Sequence, residues 1–255
     1  MKKTALAIAS HPDDIEFMMA GTLLRLKEAG YEIHYMNIAN GSLGSAVMDR
    51  DETVATRRQE AMNAAKFLGA TYHESLCDDL ELFYNGALLA KVVEAIREVE
   101  PEIVLTHGPY DYMEDHVNAG RLAVSAAFCR GMRNFKCAPS VKPTNQSVAV
   151  YHAMPHSITD QLCRSVKADF YVDIAAQMER KRRALACHRS QKEWLDVSQG
   201  LNAYLEEMDK RAVVFGKQSG ILEFAEGWIR HNPLGLCPEN FNPLPAATSA
   251  VLPGR

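Results

Sequence analysis

The 255-residue chain lacks most of the features that would assign a class at sight. Its six cysteines, Cys77, Cys129, Cys137, Cys163, Cys187 and Cys237, include no C-x-x-C pair. Scattered thiols in a chain this long read as reduced, which points to a cytoplasmic protein and away from a disulfide framework or a cysteine-ligated zinc. Any metal would then be held by histidine and carboxylate. No apolar run reaches the roughly 18 residues a membrane span requires, so no membrane partner is expected. Positive charge is not in excess: 28 basic residues face 32 acidic ones, for a net charge of −4. With one short basic run, Glu179 to Arg183, nucleic acid is not an expected partner either. That run reads as a solvated helix face. G-x-G-x-x-G and Walker sequences are absent, leaving nucleotide binding without a motif. There is no internal repeat, low-complexity block or clear linker.

What is present is an ordinary globular composition, 47% hydrophobic and 24% charged, in a chain long enough to bury a full core. Short apolar runs alternate with longer amphipathic ones. Thr4–Ser10 reads as a first buried strand, since its apolar run stops at His11-Pro12-Asp13-Asp14, where a signal peptide would not carry acids. A helix over Ile15–Ala29 is closed by Gly30. Strands are predicted over Tyr31–Ile38, Thr71–Ser75, Glu102–Thr106, Ser147–His152 and Phe170–Ile174. Helices are predicted over Glu52–Leu68, Ala87–Val99, Val117–Cys129, Ala175–Ser190 and Ser198–Val214. Gly131–Ser147 reads as a long loop. This βαβα order predicts an α/β fold, a mostly parallel, Rossmann-like sheet with helices on both faces. One domain over residues 1–230 is expected, with 231–255 as an extended tail on its surface or on a neighbouring subunit.

Ligands of open parallel sheets bind beyond the carboxyl ends of the strands. Two predicted strand ends are dense in polar groups: Ser10 to Glu16 after the first strand, and Thr106 to His116 after the fourth. His11 and Asp14 stand three apart at a strand-to-helix turn, where Pro12 restricts the backbone and the two side chains can converge. A neutral imidazole with a carboxylate suits Zn²⁺ or a similar borderline ion. Asp13 lies beside that point without needing to bind the ion, which is the place for a general base. The plainer alternative is that Asp13 or Asp14 caps the following helix. His116 can add a third ligand, and Asp115 can orient an imidazole. Two histidines and one carboxylate leave coordination positions open, the pattern of catalytic and not structural zinc.

These residues resemble a known family. Ala9-Ser10-His11-Pro12-Asp13-Asp14, with Asp115-His116 about 100 residues on, is similar to the LmbE/PIG-L family of metal-dependent N-deacetylases. Glu52 to Gly69, with Arg57, Glu60, Ala61 and Leu68, resembles that family's second helix. Lys181 to Gln191, ending His188-Arg189-Ser190-Gln191, resembles a later one. The likeness spans roughly residues 4 to 191. It implies a Rossmann-like fold and hydrolysis of an N-acetyl group on an N-acetylglucosamine-type sugar or conjugate, with acetate and a free amine as products. It matches His11, Asp14 and His116 to the metal ligands, Asp13 to the general base, Arg57 to a substrate-binding arginine and Asp115 to the acid beside the last ligand. Zn²⁺ is the expected cofactor, with Fe²⁺ or Co²⁺ admitted by the same donors. A homo-oligomer is expected.

One position departs from that pattern. Many members carry a histidine three residues before the last ligand, where it stabilises the tetrahedral oxyanion; here it is Met113, and a thioether donates no hydrogen bond. The replacements considered are His107, Tyr112 and His231. The alternatives to a sugar deacetylase are a metal-dependent hydrolase of a non-sugar amide and a metal- or sugar-binding module without turnover. Among weaker signals, Asn40 to Gly44 is either a lid or a plain turn, and Trp228 is a core residue more readily than a sugar platform. Arg230 and His231 are candidates to enter a pocket, and His152 and His156 candidates for its rim.

Overall fold

A computed structural model describes residues 3–137, 141–192 and 204–253. Among them, seven strands form one sheet in the order β3-β2-β1-β4-β5-β7-β6. The strands are β1 (Thr4–Ala9), β2 (Glu32–Asn37), β3 (Thr71–His73), β4 (Ile103–His107), β5 (Ala149–Ala153), β6 (Phe170–Asp173) and β7 (Ala225–Arg230). The first five run parallel, with Ala7 opposite both Tyr35 of β2 and Leu105 of β4. Strand β7 is antiparallel to both β5 and β6. The sheet is therefore mixed but mostly parallel, with helices on both faces, as the alternation predicted.

Strand β1 is wholly buried because both of its faces are covered. Ala5, Ala7 and Ala9 point into one apolar layer, and Leu6 and Ile8 into the other. The first layer is closed by α1 (Asp14–Met18), α2 (Ala20–Glu28), α3 (Arg50–Leu68), α6 (Met178–Leu185) and α7 (Tyr204–Ser219). The second is closed by α4 (Gly86–Val99) and α5 (Glu114–Cys129). Each fully buried Leu or Ile there is worth roughly 1.5–3 kcal/mol. Helix α3 follows from its sequence: Asp49 caps it by accepting from Glu52 N at 3.0 Å, and Gly69 ends it at φ 69°. Its buried residues Thr53, Arg57, Glu60, Ala61, Ala64 and Leu68 lie on one stripe.

Three sequence expectations change. The helix over Ile15–Ala29 is two helices, broken at Met19 (φ −130°). The Glu226 carboxylate takes the N–H groups of Gly21 and Thr22 at 2.9 and 2.7 Å, so α2 has a cap of its own. The run Glu179–Arg183 is not wholly solvated: Lys181 is 1% exposed and ion-paired with Glu226. Strand β7 stands at Ala225–Arg230, where no strand was predicted. Trp228 within it is wholly buried, its Nε1 donating to Thr22 Oγ1 at 2.9 Å. The predicted helix start at 198–203 lies outside the described residues. Residues 231–253 lie along the domain and include the short helix α8 (Pro243–Thr248), anchored by the buried Leu244. Beyond it, Val251 pairs with Tyr171 of β6. No described helix is long and apolar enough to cross a membrane.

Candidate active site

The connection from β1 leads to α1, and the connection from β4 leads to α5. Because β1 and β4 are neighbours whose flanking strands lie on opposite sides, their carboxyl ends mark the topological switch point of the sheet. His11 and Asp14 sit on the first connection, and His116 lies in the first turn of α5. Donor atoms of His11, Asp14 and His116 all lie within 4.8 Å of one another. A tetrahedral ion with bonds of ~2 Å needs donors a little over 3 Å apart, so modest side-chain motion would close this set on a cation. Nε2 of His116 is 3.3 Å from Asp14 Oδ1, and Nδ1 of His11 is 3.6 Å from Asp14 Oδ2. The helix-cap alternative does not apply to Asp13, which makes no side-chain cap. Asp14 instead accepts from the backbone N–H of His11 at 2.7 Å.

Each imidazole has a carboxylate partner of its own. Asp115 Oδ2 lies 3.0 Å from His11 Nε2 and also accepts from Leu80 N at 2.8 Å. Asp111 Oδ1 lies 3.1 Å from His116 Nδ1. His107 stacks on His116, with ring centroids 4.1 Å apart, and accepts from Ser10 N at 3.0 Å. A second histidine and carboxylate set, His107, Asp111 and His116, also fits within 4.8 Å. The first set opens onto the cavity through His11, Asp14 and His116, whereas His107 and Asp111 lie beneath its floor.

The electrostatics of the cluster favour positive charge. Burial opposes the charging of His11, but its hydrogen bonds to the Asp115 and Asp14 carboxylates outweigh it and raise its pKa to about 9. Burial likewise opposes charge on His116, yet Asp14 and Asp111 raise it to about 10. Burial would raise Asp14, but His116 and His107 hold it well below the usual carboxylate range. Asp13 goes the other way. Burial, against the opposing pull of Arg57 and with the help of Asp14, pushes it up to about 6. Asp13 also has φ 111°, a left-handed backbone uncommon for a residue with a side chain.

A cavity of about 320 Å³ opens over the cluster. Its walls include Phe17, Leu43, Leu80, Tyr112, His156 and Tyr204. Tyr204 lines the cavity with Asp13, and burial, with the Asp13 charge adding to it, raises its phenol well above the usual range. Tyr112 stands edge-on to both His116 and His156, and burial raises its phenol to about 12, so it keeps its proton. His156 stacks on Phe17 at 4.6 Å; burial, with Arg211 adding to it, lowers its pKa to about 4.

Of the residues singled out from the sequence, His11, Asp13, Asp14, Arg57, Tyr112, Met113, Asp115 and His116 line this cavity. His107 does not; it is 1% exposed. His231 is elsewhere, in a second cavity with Tyr84, Phe128 and Leu234, where it is hydrogen-bonded to His152 at 2.9 Å. The sequence reading passed over Asp111, Tyr204 and Glu207. Asp111 lay in the loaded loop before His116 and offered a signal; the two α7 residues offered none, since only tertiary packing brings that helix to the cavity.

The PIG-L family profile, described as GlcNAc-PI de-N-acetylase, matches residues 6–127. Diacetylchitobiose deacetylase of Thermococcus kodakarensis is 32% identical over 246 residues, covering 92% of this chain and 86% of that protein. 4-Oxalmesaconate hydratase of Pseudomonas putida is 29% identical over 203 residues, 74% of each chain. The solved structure of N,N'-diacetylchitobiose deacetylase from Pyrococcus horikoshii matches with a TM-score of 0.76 at 24% identity, over 93% of this chain and 88% of that one, a likeness of fold.

Proposed function

This chain belongs to the PIG-L family of metal-dependent N-deacetylases, and from that premise we propose that it hydrolyses the N-acetyl group of an N-acetylglucosamine-type sugar or conjugate. The observation that carries this reading is the convergence of two imidazoles and one carboxylate at the switch point, with Asp13 beside them. The donor set fits a borderline divalent ion: two nitrogens, one oxygen, and a carboxylate partner behind each ring. We take that ion to be Zn²⁺, with Fe²⁺ or Co²⁺ accommodated by the same donors. Bound between His11, Asp14 and His116, it would supply the Lewis acidity that polarises an amide carbonyl and acidifies a water.

The chain's own groups do the rest. Asp13 accepts the attacking water's proton at its carboxylate and returns it to the departing nitrogen. Arg57 Nη2, 3.4 Å from Oδ2, faces that carboxylate. Asp115 and Asp111 orient the rings of His11 and His116. Tyr112 and His156 are the wall groups able to donate to the developing oxyanion, the task that Met113 cannot perform. Tyr112, half-exposed on the cavity wall, offers an aromatic face to a sugar ring.

The hydratase relative is 29% identical over 203 residues, so likeness of sequence alone does not choose the reaction. The test is acetate release from N-acetylglucosamine and diacetylchitobiose by metal-loaded protein, beside Asp13→Asn. Turnover lost in Asp13→Asn with metal content unchanged supports the reading. Full turnover in that variant removes Asp13 as the base. No acetate release from any N-acetyl sugar by protein that holds metal removes the sugar deacetylase.

A further inference from the structure

A third strand end reaches the cavity. Strand β5 runs parallel beside β4, so the residues that follow it, Met154, Pro155 and His156, emerge on the same side of the sheet as the connections from β1 and β4. His156 lines the cavity, and its ring nitrogens have no hydrogen-bond partner among the described residues. The ring is held by its faces and edges instead. It stacks on Phe17 of α1 at 4.6 Å, and Tyr112 meets it edge-on at 6.3 Å. Where its nitrogens point is therefore set by packing and by the backbone that carries the ring.

That backbone is gripped by one side chain. Arg211 of α7 donates from Nη2 to the carbonyls of Met154 and Pro155 at 2.8 and 2.6 Å, and from Nη1 to the carbonyl of His156. Three consecutive carbonyls on one planar guanidinium fix the path of the turn, and Pro155 restricts it further. Arg211 is 5% exposed and does not line the cavity. Among the described residues no carboxylate forms an ion pair with it. Burial lowers its pKa to about 10, which still leaves it charged at neutral pH, so its bonds to the carbonyls are charge-assisted. The same guanidinium lies 5.9 Å from the centre of the Phe17 ring on which His156 stacks. Arg211 thus holds His156 by its backbone and meets the ring that supports its side chain.

We propose that Arg211 is a positioning residue: it holds the Met154-Pro155-His156 turn so that the His156 imidazole stands in the oxyanion wall, where Met113 can donate nothing. Arg211 acts through His156 and touches no substrate. The plainer reading is that Arg211 only satisfies the carbonyls beyond β5, which would add stability without bearing on His156. The inference rests on the deacetylase reading above for its kinetic readout and is independent of it for its structural one.

The kinetic readout is kcat and KM for acetate release from N-acetylglucosamine and diacetylchitobiose by wild type, His156→Ala, Arg211→Lys, Arg211→Met, and His156→Ala combined with Arg211→Lys. Arg211→Lys is expected to lower kcat about tenfold with KM within about twofold of wild type, and Arg211→Met to lower kcat further. His156→Ala is expected to lose at least as much as Arg211→Lys. In the His156→Ala background, Arg211→Lys is expected to cost less than about twofold more, because the side chain through which it acts is gone. Losses that multiply in the double variant overturn the proposal, as does either His156→Ala or Arg211→Lys at wild-type kcat. Arg211→Lys keeps the charge and a donor, and it carries the test if Arg211→Met does not fold. If wild type releases no acetate, the deacetylase reading fails by itself, and crystal structures of metal-free wild type and Arg211→Lys then decide. A His156 ring that has left Phe17 in Arg211→Lys upholds the positioning role, and an unmoved ring ends it.

Discussion

His116 is held at both ring nitrogens by carboxylates: Asp14 lies 3.3 Å from Nε2 and Asp111 3.1 Å from Nδ1. One side of the ring therefore faces the candidate metal position and the other is anchored from beneath. Asp111 is buried, so losing it removes the charge packed against Nδ1 and leaves the ring freer to rotate. Asp111→Ala is expected to weaken metal binding roughly 10–100-fold. Titration of metal-stripped protein with Zn²⁺ measures this. An unaltered isotherm would mean that Asp14 alone orients the ring.

The oxyanion donor is the second point at issue. Tyr112 reaches over His116 and keeps its phenolic proton. Tyr112→Phe is expected to lower kcat, approaching the roughly 10²-fold loss of a missing oxyanion donor. Met113→His in that background is expected to recover part of it, since residue 113 lines the same cavity. Steady-state acetate release by the single and double variants reads this out. A Tyr112→Phe enzyme at wild-type kcat would shift the role to His156.

A third prediction concerns the Glu226 anchor. Its carboxylate caps α2 and meets Lys181, and both side chains are almost fully buried. Removing one partner strands the other, at a cost of roughly 3–5 kcal/mol, whereas removing both charges is milder. Lys181→Met should lower Tm by about 10 °C. Lys181→Met combined with Glu226→Gln should recover part of that loss. Thermal melts followed by circular dichroism test the order of the three proteins.

Stability should also fall as the solution is acidified through the imidazole range. His152 donates from Nδ1 to the His107 carbonyl at 2.7 Å, so its Nε2 accepts from His231 at 2.9 Å. Burial, with the charge of a protonated His231 adding to it, lowers its pKa to about 4. The folded state thus favours neutral His152. Its contribution is complete above the unfolded value of about 6.5 and is lost as pH falls from there toward 4. Melts at pH 7 and pH 5 should show a larger drop for wild type than for His152→Gln. Equal drops would place the sensitivity elsewhere.

Much of the site was legible in sequence because its parts are local. His11-Pro12-Asp13-Asp14 and Asp115-His116 are short strings next to strand ends, where polar density is unusual whatever the fold's finer detail. Parallel strands also announced themselves, since β1 and β4 are buried on both faces and read as continuous apolar runs. Strand β7 did not. Its Glu226, Gly227 and Arg230 break any apolar alternation, and the burial of Glu226 and half-burial of Arg230 make sense only once partners from α2, α6 and the tail are known. His231 lines a cavity other than the one over the cluster, because the antiparallel pairing of β7 turns it toward His152.

The sequence by itself determined which atoms were available for chemistry and that they stood at the carboxyl ends of two parallel strands. Those are matters of residue type and of patterns a few residues long. Only the tertiary structure decided that β1 and β4 are neighbours, that Asp111 stands behind His116, and that the buried Arg57 guanidinium donates to the Pro12 carbonyl. Strand order and the posture of a buried side chain follow from how the helices pack across the whole sheet. They are set by contacts between residues tens to hundreds of positions apart, which no local pattern records.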